Sequence, residues 1–211
     1  MKKFILTHIR SVFGVSFTAF FTAFLAVSTL TSSTAEAFDF SVLGAASSSS
    51  YSITPAPAVF SGGAGFGLGV RLGFDLFPFF SWEVGALYIG YSLSAMTATL
   101  NYNYIQIPVL LRFTPIPFVA LEAGGYYGIP SSTTSTGAVP PELMNAALPT
   151  YSSSNDYGLL IGAGVRLPLL PLMSIRADAL YEYGLANVST GTSTQNARNL
   201  DIWAGVMISL L

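Results

Sequence analysis

Cysteine is absent from this chain, histidine occurs once, at His8, and lysine occurs only at Lys2 and Lys3. The lack of cysteine excludes a disulfide framework, and without cysteine or a second histidine no ligand set for zinc exists. Charged residues make up 9% of the chain, against about a quarter in an average soluble domain. So few basic residues exclude the positive surface of a nucleic-acid-binding protein. We expect no metal, no cofactor and no nucleic-acid partner.

The N-terminal segment has the features of an export signal. Lys2, Lys3 and Arg10 precede an uncharged run over residues 11–34, and Ala-Glu-Ala at 35–37 forms a small-x-small site. A basic head, an apolar stretch and such a site predict a cleaved signal peptide over residues 1–37. The run is also long enough for an uncleaved membrane anchor. Cleavage would leave residues 38–211 as one domain, with five arginines, nine acidic residues and neither histidine nor lysine.

Beyond residue 37 large apolar residues alternate with small or polar ones. Around Phe66, Leu68 and Val70 the intervening residues are Gly67 and Gly69. A period of two predicts strands with one apolar face and one small or polar face. Eight segments follow this pattern, with ends uncertain by a few residues: about 38–46, 63–75, 80–91, 100–113, 118–128, 156–167, 173–185 and 199–210.

The connections between these segments alternate strictly between short and long. The three short ones lie near Pro78, near Pro117 and at 168–172. The four long ones are rich in Ser, Thr and Pro and cover 47–60, 92–99, 131–155 and 187–197. This alternation predicts an all-β fold, an eight-stranded antiparallel up-and-down transmembrane β-barrel with short turns at one rim and long loops at the other.

The size of an eight-stranded barrel decides which face points inward. Its interior is only just wide enough for side chains, and the apolar faces carry too much bulk to fit there. The apolar face therefore points to lipid and the polar face lines the lumen. The predicted lumen charge network contains Arg71, Glu83, Gln106, Arg112, Glu122, Arg166, Arg176, Asp178, Glu182 and Asp201.

Within this network the sequence predicts cross-strand ion pairs. Arg71 and Glu83 lie symmetrically about one short turn, and Arg112 and Glu122 about another. Such residues can lie side by side, and a looser third pair is Arg166 with Asp178. Four arginines against five carboxylates are nearly balanced, which favours a hydrogen-bonded plug. A selective pore would more typically carry one sign in excess.

Aromatic residues are predicted to form belts at the two membrane interfaces. Phe77, Phe79, Trp82 and Phe118 lie at the short-turn rim. Tyrosines lie towards the other rim: Tyr88, Tyr91, Tyr102, Tyr104, Tyr126, Tyr127, Tyr157, Tyr181 and Tyr183. Trp203 is assigned to the same interface set.

The stretch Tyr104–Ile105–Gln106–Ile107–Pro108 before Leu110–Leu111–Arg112, with "GLLIGAGVRL" and "IRADALYEYGLANV", resembles the bacterial outer-membrane β-barrel domain family. Its small eight-stranded members are PorT-like and OmpA-transmembrane-like barrels. The resemblance implies a monomer in the outer membrane, contacts with its lipid, and insertion by the outer-membrane assembly machinery. It also implies periplasmic termini and extracellular long loops. Such chains usually end in an aromatic residue, whereas this one ends in Leu211.

The resemblance carries no shared catalytic set, and enzymes of this barrel type resemble one another in using a histidine as general acid or base. Histidine is suited to that task near neutral pH, and residues 38–211 have none. We therefore expect a non-enzymatic protein with a structural or surface-interaction role. Two alternatives stay open: a narrow channel for small solutes or ions, and a carrier of a small apolar ligand in a glycine-lined lumen.

Overall fold

A computed structural model describes residues 38–54, 60–95, 98–136, 155–186 and 194–210. The predicted signal peptide, residues 1–37, lies outside them. The strands are β1 (Phe38–Thr54), β2 (Phe60–Gly62), β3 (Ala64–Phe77), β4 (Phe80–Ala95), β5 (Ala98–Ile116), β6 (Val119–Thr136), β7 (Asp156–Leu170), β8 (Met173–Gly184) and β9 (Thr194–Leu210). The described residues contain no helical segment with the length and hydropathy of a membrane span.

The strands form one closed antiparallel ring. From β3 to β9 each strand pairs with the next, and β1 pairs with both β3 and β9, so no edge is left along the wall. The short strand β2 pairs with β4 beyond the start of β3, so β2 and β3 together count as one of the eight long strands of the barrel wall. These eight long strands are here called staves. The predicted eight-stranded antiparallel up-and-down barrel is confirmed.

The size of the side chains determines which face of the wall points inward. On β8, burial alternates residue by residue over almost the whole strand. Large apolar residues point outward, Phe66 on β3 reaching 76% exposure, while Arg71 on the same strand is buried inside. The glycines that alternate with the outward residues leave space in the lumen for long polar side chains. Polar residues therefore line the lumen and apolar residues cover the outer wall.

Each of the three short connections is a two-residue turn that begins with proline. The turns are Pro78–Phe79, Pro117–Phe118 and Pro171–Leu172. Proline suits the first central position of a β-turn, because its φ is already fixed near −65° and it has no N–H to satisfy. Phe118 has φ 74°, so the second turn has the pattern of type II, which normally takes glycine there.

The staves reach further into the long connections than the apolar pattern predicts. β1 continues to Thr54, β6 to Thr136, and β9 already begins at Thr194. Predicting loops over 47–60, 92–99, 131–155 and 187–197 is therefore wrong for the residues that lie in strands, and the rest lies outside the described residues. Residues 131–134 of β6 are exposed on both faces, so they show no apolar alternation although their backbone pairs with β5.

The positive φ of Phe118 leads to a testable prediction. Phe118→Gly removes an exposed ring but also relieves a left-handed conformation that costs an L-residue about 1–2 kcal/mol. Phe79→Gly removes a similarly exposed ring from the Pro78–Phe79 turn, where φ is negative. We expect the free energy of unfolding in urea to be about 1 kcal/mol higher for Phe118→Gly than for Phe79→Gly. Equal values for the two variants would contradict the type II assignment.

Candidate functional site

The middle of the lumen holds a compact cluster of opposite charges, here called the charge plug. It consists of Arg71 on β3, Glu83 on β4, Arg112 on β5, Glu122 on β6, and Arg176 and Asp178 on β8. None of the six is more than 5% exposed. Each points inward because the apolar residues before and after it occupy the outer face. Five staves thus contribute three positive and three negative charges to one small volume.

Arg176 contacts all three carboxylates of the plug. Its guanidinium binds Glu83 in a bidentate manner, with Nη2 2.8 Å from Oε2 and Nη1 3.0 Å from Oε1. Its Nε donates to Asp178 Oδ2 at 2.9 Å, and its Nη2 lies 3.4 Å from Glu122 Oε1. Bidentate, charge-assisted bonds are the strongest hydrogen bonds between side chains, so Arg176 fixes the positions of its partners.

The other two arginines complete the neutralisation of these carboxylates. Arg112 Nη1 lies 3.2 Å from Glu83 Oε1 and 3.6 Å from Glu122 Oε1. Arg71 Nη1 lies 3.2 Å from Asp178 Oδ2, and between 3.8 and 3.9 Å from oxygens of Glu122 and Glu83. Every carboxylate therefore meets at least two arginines. The plug is a shared network rather than a set of separate pairs.

The strand register explains how the predicted pairs are arranged. Arg112 lies directly opposite Glu122 in the β5–β6 ladder. Glu83 lies opposite Gly73, because the β3–β4 ladder is centred on residue 78, one residue later than the symmetry about Phe77 suggests. Arg71 therefore reaches Glu83 only diagonally, at 3.9 Å.

The predicted pair of Arg166 and Asp178 is wrong. Arg166 lies opposite Arg176 in the β7–β8 ladder, and its side chain, 34% exposed, forms an ion pair with Asp39 instead. Asp39 also accepts a hydrogen bond from Ser209 Oγ at 2.6 Å. Asp39 belongs to β1, which shares no hairpin with β7. Asp39 and Ser41 are two residues apart and share the inward face of β1, which predicts that Asp39 points into the lumen. A search for pairs around the short turns could not find Asp39.

Beyond the plug, towards the long connections, lies a second polar group, here called the outer carboxylate cluster. It contains Glu182, Asp201, Gln106, Asn199 and Tyr91, all buried. Glu182 accepts hydrogen bonds from Gln106 Nε2 at 2.5 Å, Asn199 Nδ2 at 2.8 Å and the Tyr91 hydroxyl at 3.0 Å. The lumen network predicted as one set is therefore divided: six residues form the plug, three belong to this cluster, and Arg166 stands apart.

The predicted interface aromatics are divided as well. Phe77, Phe79, Phe118, Tyr88 and Tyr181 are exposed on the outer wall, and Trp82 and Tyr127 are half-buried. Assigning Trp203 to the interface is wrong: it is 1% exposed inside the barrel, with its ring centroid 5.7 Å from the Arg71 guanidinium carbon. Asp201 and Trp203 are two residues apart on β9, so their side chains point to the same face, which is the lumen.

Four of the tyrosines predicted at the outer rim also lie inside. They are Tyr91, Tyr102, Tyr104 and Tyr126. They pack in one cluster with buried apolar residues: Leu43, Leu87, Ile89, Leu110, Leu160, Leu180, Ala186 and Trp203. The lumen is thus filled by aromatic and aliphatic side chains as well as by the plug. Such filling does not favour the apolar-ligand carrier.

The shared network leads to a prediction about coupling. Arg176→Met and Glu83→Met each leave buried charges without a partner, and we expect each to lower the free energy of unfolding by about 3–5 kcal/mol. The double variant keeps two arginines and two carboxylates, so its loss should be smaller than the sum of the two. Urea unfolding of the barrel refolded into lipid vesicles measures all three. Arg166→Met is the control and should cost about 1 kcal/mol or less, because that pair is partly exposed. A loss in the double variant equal to the sum of the two single losses would contradict a shared network.

Comparison with known proteins identifies no relative by sequence. No family model matches the chain, and no curated protein matches it. The PorT-like assignment therefore stays a prediction.

Solved structures with a similar arrangement of strands are small outer-membrane barrels. OprG of Pseudomonas aeruginosa has a TM-score of 0.49 at 14% identity, with 83% of this chain and 96% of OprG covered. Neisserial surface protein A has a TM-score of 0.46 at 18% identity, with 81% and 97% covered. Ail, the attachment invasion locus protein of Yersinia pestis, has a TM-score of 0.42 at 14% identity, with 81% and 98% covered. Values this low carry no information on function.

Proposed function

We propose that this chain is a non-enzymatic outer-membrane barrel with a closed lumen, serving a structural or surface-interaction role. The observation that carries the proposal is the charge plug: three arginines and three carboxylates, none more than 5% exposed, bind one another across five staves. A conducting lumen would need these side chains to contact water rather than each other. The mutual neutralisation of these charges favours a sealed lumen over a pore.

The outer wall supports a membrane location. Large apolar side chains are exposed on the full-length staves, among them Leu68, Leu121, Leu159, Ile161 and Leu200. Soluble monomers rarely expose apolar patches of more than a few hundred Å², whereas a barrel in lipid needs a continuous apolar band. Phe77, Phe79 and Phe118 mark one edge of this band at the short turns, as expected of an interfacial belt.

The same features support an orientation in the membrane. Phe38 pairs with both Phe74 and Leu210, so the two ends of the barrel strands lie at the rim of the short turns. In outer-membrane barrels the short turns are periplasmic and the longer loops extracellular. We therefore place both ends in the periplasm and the extended tips of β5 and β6 outside the cell. Biogenesis would engage the assembly machinery, and the closure of the ring within one chain supports a monomer.

The residue types present support a role without catalysis. Residues 38–211 contain neither histidine nor cysteine nor lysine, the side chains that most often act as bases or nucleophiles near neutral pH. The buried carboxylates of the plug are neutralised by arginines. What remains available to partners is the outer rim, where residues 131–134 at the tip of β6 are exposed serines and threonines.

Conductance across a planar bilayer tests the seal. We expect the purified barrel to show no stable openings. Arg176→Ala leaves three carboxylates facing two arginines, so water and ions should enter and intermittent openings should appear. Arg166→Ala, outside the plug, should stay silent. Stable openings of the unaltered protein would refute the closed lumen, and silence of Arg176→Ala would assign the seal to the aromatic cluster instead.

An arginine introduced at two different depths tests whether the outer wall faces lipid. Ile161 and Leu170 are both exposed on β7, the first in the middle of the band and the second beside the short turn. Ile161→Arg should lower the free energy of unfolding in vesicles by about 2–4 kcal/mol, and Leu170→Arg by about 0–1 kcal/mol. Equal costs at the two positions would show that the outer wall does not face hydrocarbon.

A further inference from the structure

The outward-facing residues of β9 change from apolar to polar at one level of the wall. Six successive outward positions are apolar: Leu210, Ile208, Val206, Ala204, Ile202 and Leu200. The next two are Arg198 and Asn196. The neighbouring strand β1 is polar at the same level, since Ser48 and Ser50 pair with Leu200 and Arg198 and are exposed. Arg198 therefore marks the edge of the apolar wall that lies far from the short turns.

The length of this apolar stretch matches the thickness of a hydrocarbon layer. Ten residue steps separate Leu210 from Leu200, and at about 3.4 Å per step they span about 34 Å along the strand. Barrel strands tilt by about 35–45° from the barrel axis, so the stretch has a height of about 24–28 Å. The apolar band of an outer-membrane barrel is about 25 Å tall. In the proposed membrane location, Arg198 thus lies at the depth of lipid headgroups.

Arg198 is the only arginine of the described residues that contacts no carboxylate. The three arginines of the plug and Arg166 each form ion pairs. The acidic residues of the described part either are buried in the lumen or, as with Asp39 and Asp75, lie near the short-turn rim. Within this part of the chain no acid therefore faces Arg198 on the outer wall, and its charge is left for an external partner.

The side chain of Arg198 is held in place by its surroundings. Its guanidinium carbon lies 3.6 Å from the centroid of the Tyr183 ring, close enough for a cation–π interaction. Its Nη1 donates to the carbonyl oxygens of Gly184 and Ala197, at 2.8 Å and 2.7 Å. These two bonds use both hydrogens of Nη1, whereas the N–H groups of Nε and Nη2 have no acceptor within the described residues. That free edge is the one with which arginine binds a carboxylate or a phosphate in a bidentate manner.

The wall below Arg198, towards the middle of the apolar band, is apolar and not flat. Leu200 and Tyr181 lie opposite each other in the β8–β9 ladder and are 47% and 42% exposed. Beyond them the small outward side chains of β7 and β8 leave an apolar depression of about 270 Å³, whose lining includes Ala163, Ala177, Ala179 and Ile202. A fixed positive charge above an apolar depression is complementary to an amphiphile with an anionic head and a hydrocarbon tail.

We propose that Arg198 and Tyr183 form a binding site for the phosphate group of an anionic lipid of the outer leaflet, with an acyl chain of that lipid along the depression. The site depends on the proposed membrane location and orientation, which put this edge of the wall in the outer leaflet. Phosphate matches a guanidinium edge in shape and in charge. The Tyr183 ring and the two carbonyls already hold the guanidinium, so little side-chain freedom is lost on binding.

Competition between two lipids tests the site. The purified barrel in uncharged detergent micelles is mixed with equal amounts of dioleoyl phosphatidic acid and dioleoyl phosphatidylcholine, and native mass spectrometry counts the lipids that stay bound. We expect one phosphatidic acid per chain to be retained in preference to the net-neutral lipid. Arg198→Gln should lower this preference about fivefold, the factor expected of one arginine beside anionic lipid.

Two further positions separate the site from a general effect of charge. Tyr183→Leu removes the ring under the guanidinium and should also lower the preference, whereas Tyr183→Phe keeps the ring and the preference. Arg166→Gln is the matched control. That arginine lies near the short-turn rim and is already bound to Asp39, so its loss should leave the preference unchanged.

Three results would overturn the proposal. One is an unchanged preference in Arg198→Gln and Tyr183→Leu. Another is an equal loss in Arg166→Gln, which would show a general effect of charge. The third is displacement of the phosphatidic acid by an equal concentration of inorganic phosphate, which would assign the site to free anions. Equal costs of Ile161→Arg and Leu170→Arg would instead refute the lipid-facing wall itself, so failure of the lipid site and failure of the proposed function are distinguishable.

Discussion

The mutual neutralisation of arginines and carboxylates is the constraint on which the rest of the barrel depends. An eight-stranded ring has little interior space in which a charge can stay hydrated, so the six charges of the plug meet one another across different strands. This requirement fixes the register: a slip of one residue would turn the polar face into lipid. A slip of two keeps the faces but separates Arg112 from Glu122. The same strand register therefore closes β1 against β9 and places Arg176 among its three carboxylates.

The lumen changes in character along its axis. At the short-turn end Arg166, Asp39 and Ser209 tie β7, β1 and β9 together. The plug in the middle is electrically neutral, and beyond it the polar groups are acidic oxygens and amides set among tyrosines. The electrostatic potential therefore becomes negative towards the outer rim. A protein with nearly balanced charges in its sequence thus contains one strongly unbalanced compartment.

Much of this architecture could be predicted from the sequence, because strand periodicity and the alternation of short and long links are local properties. The inward direction of Arg71, Glu122 and Arg176 followed from parity alone. The inward direction of Asp39 could be predicted, but its pairing with Arg166 could not, since β1 and β7 are not neighbours in the closed ring. Trp203 shows a different limit: its type suggested an interface, whereas its parity with Asp201 required the interior. The extension of β6 could not be predicted because residues 131–134 are exposed on both faces and show no apolar alternation.

The positions of the two tryptophans give the barrel two built-in optical reporters. Trp82, stacked on Phe74 with ring centroids 4.9 Å apart, lies half-buried on the outer wall at the short-turn rim, where it would contact lipid in the proposed membrane location. Trp203 is enclosed over Arg71 and lies on β9, the strand that closes the ring against β1. In the proposed membrane location, a quencher dissolved in the acyl chains would reach the first indole and not the second. The fluorescence of one chain can therefore separate arrival at the bilayer from the closing of the ring.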